Sequence, residues 1–177
     1  HKSSSIDQVV ISHAHLDHSG YLPHLFVTGN TLCYMTQPTL AIAEVLWHDA
    51  LKIADIESKE IKYSKAEIEH TKTFTFPALY KRHLNITKNI SMELYDAGHI
   101  IGSSMVKLTH KNRSLLYTGD FNPMETRMLA GADTNLDADY VISESTYGTS
   151  VHPPREQTEK EFVDAINETL DRKGIAL

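Results

Sequence analysis

A single cysteine, Cys33, excludes an internal disulfide and fits a reducing, intracellular setting, where a lone thiol is expected as a small buried hydrophobe. No apolar run approaches the roughly twenty residues of a bilayer-spanning helix, and no charged-then-apolar leader precedes His1. Neither membrane insertion nor secretion is therefore expected, and the chain is read as cytoplasmic. Positive charge is also in short supply: 17 Lys and Arg stand against 23 Asp and Glu, for a formal net charge of −6. That balance disfavours a broad basic face for nucleic acid, so any phosphate binding must be local. There is no internal repeat and no low-complexity tract. What remains is a chain of 177 residues, enough for one soluble globular domain with a substantial core.

Both ends read as cut. The chain opens without an initiator methionine, in a polar Lys2-Ser3-Ser4-Ser5 lead-in, and closes on Gly174-Ile175-Ala176-Leu177, where a helix-stopping glycine precedes the first apolar residues of a further strand. Between them, the short β-branched run Gln8 to Ser12, which shows no alternation, predicts a strand covered on both faces that delivers the chain into His13. A long helix is expected from about Thr36, with Pro38 in its first turn and an apolar stripe through Leu40, Ala43, Trp47, Ala50, Leu51 and Ala54. A shorter one starts at the capping box Ser64-Lys65-Ala66-Glu67. From Ile90 the pattern becomes alternation through Met92 and Leu94, and two more strands, Ser104 to Thr109 and Ser114 to Thr118, flank the polar turn His110-Lys111-Asn112-Arg113. After the apolar run Tyr140-Val141-Ile142 comes a loop with Gly148, Pro153 and Pro154, and then a helix with the stripe Phe162, Ile166, Leu170. Helices among early strands and hairpins later give a mixed α/β layered protein whose strand-end loops carry the chemistry.

Four metal-capable side chains crowd into His13-Ala14-His15-Leu16-Asp17-His18, directly after a predicted strand. In an extended segment residues two apart point the same way, so His13 and His15 can share one ion while a turn at Leu16 aims Asp17 and His18 at a neighbouring one. Two ions need further ligands. His99 follows Ala97-Gly98, where glycine lets the backbone come close, and Asp120 ends Tyr117-Thr118-Gly119-Asp120 at a strand exit. Taken singly, the first is an ordinary surface histidine and the second a turn aspartate. With the histidine cluster they acquire another meaning, because a carboxylate has two oxygens and can bridge two cations. His24, His48, His70, His83, His110 and His152 match no motif and are expected at the surface or in ordinary packing. Lys81-Arg82 and the lysines from Lys52 to Lys72 are read as solvated helix faces, and Trp47 as core.

These three motifs, in this order and at these separations, resemble the successive metal motifs of the metallo-β-lactamase superfamily. Gly98-His99-Ile100-Ile101-Gly102-Ser103 and Glu144-Ser145-Thr146-Tyr147-Gly148 resemble the β-CASP nucleases, in particular the endonuclease subunit of the cleavage and polyadenylation specificity factor and its archaeal homologues. The resemblance implies a metallo-β-lactamase αββα sandwich, incomplete at both ends, over residues 1–148, followed by the truncated beginning of a β-CASP domain over 149–177. It implies two zinc ions: His13, His15 and His99 hold one, Asp17 and His18 the other, and Asp120 bridges them. Asp17 and Glu144 are the implied catalytic residues, Asp17 accepting the proton of a water and Glu144 orienting a histidine that protonates the leaving group. That histidine and one completing the second zinc site would follow Leu177, so this stretch alone is expected to be almost inactive. The implied activity is hydrolysis of phosphodiesters, in RNA first and single-stranded DNA as the alternative, with a homodimer left open. Two other readings stand beside it: a different hydrolase of the superfamily, such as a thioesterase or lactamase, and a non-catalytic RNA-processing scaffold.

Overall fold

The apolar run before His13 forms strand β1 (Gln8–Val10) in the computed structural model of the chain, which describes residues 6–176. The Lys2-Ser3-Ser4-Ser5 lead-in and Leu177 lie outside the described residues. Ile11 adds one more bond to the ladder, its N–H donating to the Tyr34 carbonyl at 2.9 Å, and the chain then leaves the sheet. β1 is half-buried rather than fully covered because it is an edge: β1, β2 (Leu32–Met35) and β3 (Thr75–Pro77) form a three-stranded parallel sheet in that order. Parallel neighbours need crossovers, and here these are helical. A one-turn helix α1 (Leu16–Ser19) and a 3-10 helix over Leu22–Phe26 join β1 to β2, and α2 (Gln37–Ile56) and α3 (Lys65–Thr73) join β2 to β3.

Helices α2 and α3 both start where the sequence predicts. Thr36 caps α2 by accepting the Thr39 N–H at 3.2 Å, and Pro38 costs nothing in a first turn whose N–H groups have no helical partner. Ser64 and Glu67 form the reciprocal capping box of α3. The α2 stripe places Leu40, Ala43 and Trp47 in a core with Ile11, Cys33, Met35 and Ile68, between the helices and the parallel sheet. Trp47 is wholly buried and donates its indole N–H to the Ser19 carbonyl at 3.0 Å, which fastens α2 to the end of α1. Losing that side chain would cost about 3–5 kcal/mol. Cys33 lies in the same core, where burial pushes its thiol pKa up to about 12.

The second sheet is β4 (Leu84–Asn85), β5 (Ile90–Asp96), β6 (Ser104–His110), β7 (Arg113–Tyr117) and β8 (Tyr140–Ile142) in that spatial order. The hairpin turn is shorter than the sequence suggests: His110 and Arg113 pair, and Lys111 takes a left-handed conformation (φ 54°) to close it. Val10 and Tyr34 of the parallel sheet meet Met92, Leu94 and Val106 of the second in a core between the two sheets. Met105 and Leu116 face the other way and are covered by Phe121, Ala132, Leu136 and Ala138 of the long segment after β7. The layering of helices, sheet and sheet is thus built, consistent with the metallo-β-lactamase fold.

Strand direction is what matters for the site. β5 and β7 are both antiparallel to β6, and β8 is parallel to β7, so β5, β7 and β8 run the same way and end at one edge. His99, Asp120 and Glu144 each follow one of those ends within three residues.

The chain divides into two compact units, the first reaching Glu144 and the second beginning at Ser145. The second consists of a loop and α4 (Arg155–Asp171), a helix entered from Pro154, with Phe162 and Leu170 of its apolar stripe exposed. No helix among the described residues is long and apolar enough to cross a membrane.

Candidate metal centre

His13 is delivered by the exit of β1 and is almost wholly buried, beside the fully buried Ala14. His15 forms the N-cap of α1, and the short helix then turns Asp17 and His18 onto the same side. Ser19 closes the motif by donating its hydroxyl to the Ala14 carbonyl at 2.6 Å. A strand exit followed by one helical turn thus converts a run of six residues into a converging set of metal-capable side chains.

His99 stands on a tight loop. Gly98 and Gly102 both adopt positive φ (62° and 84°), and both must be glycine for reasons of space as well. A Cβ on Gly98 would lie 2.4 Å from Ala132 N and 2.5 Å from the Asn122 carbonyl oxygen; one on Gly102 would lie 2.8 Å from Thr36 Oγ1. The loop is anchored at each end: the Thr36 and Thr39 hydroxyls reach the Gly102 carbonyl at 2.7 and 2.8 Å, and Ser103 Oγ accepts the His99 and Ile100 N–H groups at 3.2 and 3.3 Å.

Asp120 sits on the neighbouring loop after Gly119, another left-handed glycine (φ 55°). The His99 and Asp120 loops interlock. Asn122 N–H donates to the Ala97 carbonyl at 2.8 Å, Asp133 N–H to the Asp96 carbonyl at 2.9 Å, and Asp133 Oδ2 accepts the Asp96 N–H at 3.0 Å while Oδ1 pairs with Lys81 at 2.7 Å. Glu144 holds the same loop from β8, its Oε1 accepting the Phe121 N–H at 2.9 Å.

The result is a two-part constellation. His15 Nδ1 lies 3.1 Å from His13 Nε2 and 3.2 Å from His99 Nε2, and Asp120 Oδ2 is 3.7 Å from each of those Nε2 atoms. His18 Nε2 lies 3.4 Å from Asp120 Oδ1 and 3.4 Å from Asp17 Oδ2. Asp120 therefore turns one oxygen to each group. Three imidazole nitrogens meeting at one point are poorly satisfied by hydrogen bonds alone, since each ring nitrogen carries at most one proton. A shared cation satisfies all three, and tetrahedral zinc with Zn–N near 2.0–2.1 Å sets its ligand atoms about 3.3–3.4 Å apart, a little above the 3.1 and 3.2 Å between the histidine nitrogens and below the 3.7 Å to Asp120 Oδ2. The donor set thus fits such an ion.

Electrostatics favour the ligand form. Burial, reinforced by His18 and opposed by Asp120, lowers the His13 pKa to about 4, and burial lowers that of His99 against the pull of Asp120. Both imidazoles are thereby held neutral, with a lone pair free for a metal. Asp17 is largely exposed and faces solvent at the mouth.

A second group of metal-capable atoms, Glu44, His48 and Glu69, lies between α2 and α3. There the cation is already present: Lys72 Nζ is 2.6 Å from Glu44 and 3.1 Å from Glu69, and those hydrogen bonds raise its pKa. This group is an ion-pair network tying two helices. All six ligands expected from the sequence, with Glu144, lie in or beside the first constellation, whereas the residues that support it (Ser12, Asp96, Asp133) escape a sequence reading. Asp133 lies 37 residues from its partner Asp96, with no local signal to join them.

Residues 2–149 match the metallo-β-lactamase superfamily domain. The chain is 42% identical over 177 residues to a protein named probable RNase MJ4 of Methanocaldococcus jannaschii, with 97% of this chain and 41% of that protein covered. It is 37% identical over 179 residues to the transcription termination factor FttA of the same organism, covering 97% of this chain and 28% of that one. It is 33% identical over 178 residues to cleavage and polyadenylation specificity factor subunit 3 of Dictyostelium discoideum, covering 97% and 23%. The chain thus spans less than half the length of these relatives, which are of the β-CASP family. With this domain match over most of its length and these relatives, the chain belongs to the metallo-β-lactamase superfamily.

Proposed function

We propose that the protein hydrolyses phosphodiester bonds of RNA at a centre of two zinc ions. The observation that carries this reading is Asp120, with one oxygen toward the His13, His15 and His99 nitrogens and the other toward His18. Bound at such a pair of sites, zinc supplies Lewis acidity toward a phosphate oxygen and lowers the pKa of a water. His13, His15 and His99 hold one ion, Asp17 and His18 the other, and Asp120 fixes their spacing. Asp17, exposed at the mouth, accepts the proton of the attacking water. Glu144 holds the Asp120 loop through the Phe121 N–H and, as the family resemblance implies, orients a histidine that protonates the leaving oxygen. With a net charge of −6 the chain has no excess of basic residues for a polyanion, so substrate phosphate is drawn to the centre itself. The names of the relatives, a ribonuclease and a cleavage factor subunit, support RNA over the lactamase or thioesterase reading. The presence of all six ligands supports an enzyme over a scaffold.

The test is cleavage of end-labelled RNA, with single-stranded DNA in parallel, by the intact protein before and after metal removal. Cleavage is expected to vanish on chelation and return with zinc, and Asp120→Ala to lower it by at least about a hundredfold with the circular dichroism spectrum unchanged. Cleavage that survives metal removal undiminished would sink the reading, and a loss of about tenfold or less in Asp120→Ala would leave Asp120 a turn residue.

A further inference from the structure

Every ligand-bearing segment of the centre touches one residue, Ser12, which is itself buried. Its hydroxyl lies 3.1 Å from His13 Nδ1. Its carbonyl accepts both the N–H and the hydroxyl of Ser104, at 2.7 and 3.0 Å, where β6 begins directly after the His99 loop. Its side chain abuts Gly119, so that a Cβ there would come 2.8 Å from Ser12 Cβ and 2.9 Å from its Oγ. The His13, His99 and Asp120 segments are therefore registered against one another through this serine.

The contact with His13 has a specific chemical consequence. His13 presents Nε2 to the ligand cluster. An imidazole that offers the Nε2 lone pair to a metal must carry its proton on Nδ1, and a buried Nδ1–H needs an acceptor. Ser12 Oγ is placed to be that acceptor. Without it the ring is driven toward the other tautomer, with the proton on the nitrogen that should bind the metal, or toward a flipped orientation.

We propose that Ser12 is a positioning residue of the metal centre, its hydroxyl fixing His13 in the Nδ1–H tautomer and its body setting the approach of Gly119 and Asp120. This rests on the metal-centre reading above, but the test separates the two. Ser12→Ala keeps the carbonyl and the Cβ against which Gly119 rests, and removes only Oγ.

The intact protein, labelled with ¹⁵N-histidine, is examined by long-range ¹H–¹⁵N spectroscopy without zinc and with it, and zinc affinity is measured by competition with a chromophoric chelator. Zinc-free wild type is expected to show His13 with its proton on Nδ1, and Ser12→Ala to show mixed tautomers with zinc affinity down about ten- to a hundredfold. Ser12→Cys, whose sulfur is a weak acceptor, is expected to behave like Ser12→Ala and replaces it should the alanine variant unfold. A wild-type tautomer in Ser12→Ala, with affinity within about twofold of wild type, would overturn the proposal. If wild type takes up no zinc, the metal-centre reading fails, while the zinc-free spectra still decide whether Ser12 sets the tautomer.

Discussion

Glu144 is the residue at which the proposed metal binding and the proposed proton donation can be separated. Its Oε1 accepts the Phe121 N–H, a bond that the carbonyl oxygen of glutamine can replace, so Glu144→Gln removes the charge while leaving the Asp120 loop tied. If that charge orients the proton-donating histidine, the intact variant should cleave RNA slowly, by about a hundredfold or more, with zinc content unchanged. A nitrophenyl phosphodiester, whose leaving group needs little protonation, should be slowed far less. Equal slowing of both substrates, measured side by side, would mean that Glu144 acts only as a loop clamp. Residues such as His13 and Asp17 announce themselves in the sequence because metal-capable side chains are of a few chemical types and here are crowded together. Ser12 and Asp133 do not, because a serine or an aspartate earns its role only through partners the fold brings near: His13 Nδ1 for one, Asp96 N–H and Lys81 for the other.

At the scale of elements, the N-terminus of α2 is part of the site's foundation. Thr36 caps the helix and, with Thr39, holds the Gly102 carbonyl, so the His99 loop is seated on the helix start. Thr36→Ala removes a cap and a buried hydrogen bond, and should cost about 1–2 kcal/mol, read as a fall in melting temperature of about 2–8 °C. Zinc affinity should fall with it, since the loop loses an anchor. An unchanged melting temperature would show that the loop is held without Thr36. α2, α3 and the β6–β7 hairpin were legible in the sequence because caps, a turn and a period run over many residues. β2, β3 and β4 were not, because strands of four, three and two residues are too short to display a period, and their pairing is decided by the crossover helices and by contacts distant in sequence. β1 ends earlier than Ile11 and Ser12 suggest for a related reason: Ile11 still donates to the Tyr34 carbonyl, but Ser12 gives its carbonyl to Ser104 of the second sheet instead of continuing the ladder.

For the whole molecule, the parallel sheet and the antiparallel-rich sheet bring four strand exits together, those of β1, β5, β7 and β8, and each exit supplies a residue of the constellation. The order of motifs along the chain, unrelated in local structure, becomes a single surface only through this convergence. The most direct measurement is anomalous scattering at the zinc edge from crystals of the intact protein. Two peaks are expected, about 3.5–4 Å apart, one among His13, His15, His99 and Asp120 and the other among Asp17, His18 and Asp120. A single peak, none, or one at Glu44, His48 and Glu69 instead, would contradict the two-ion centre.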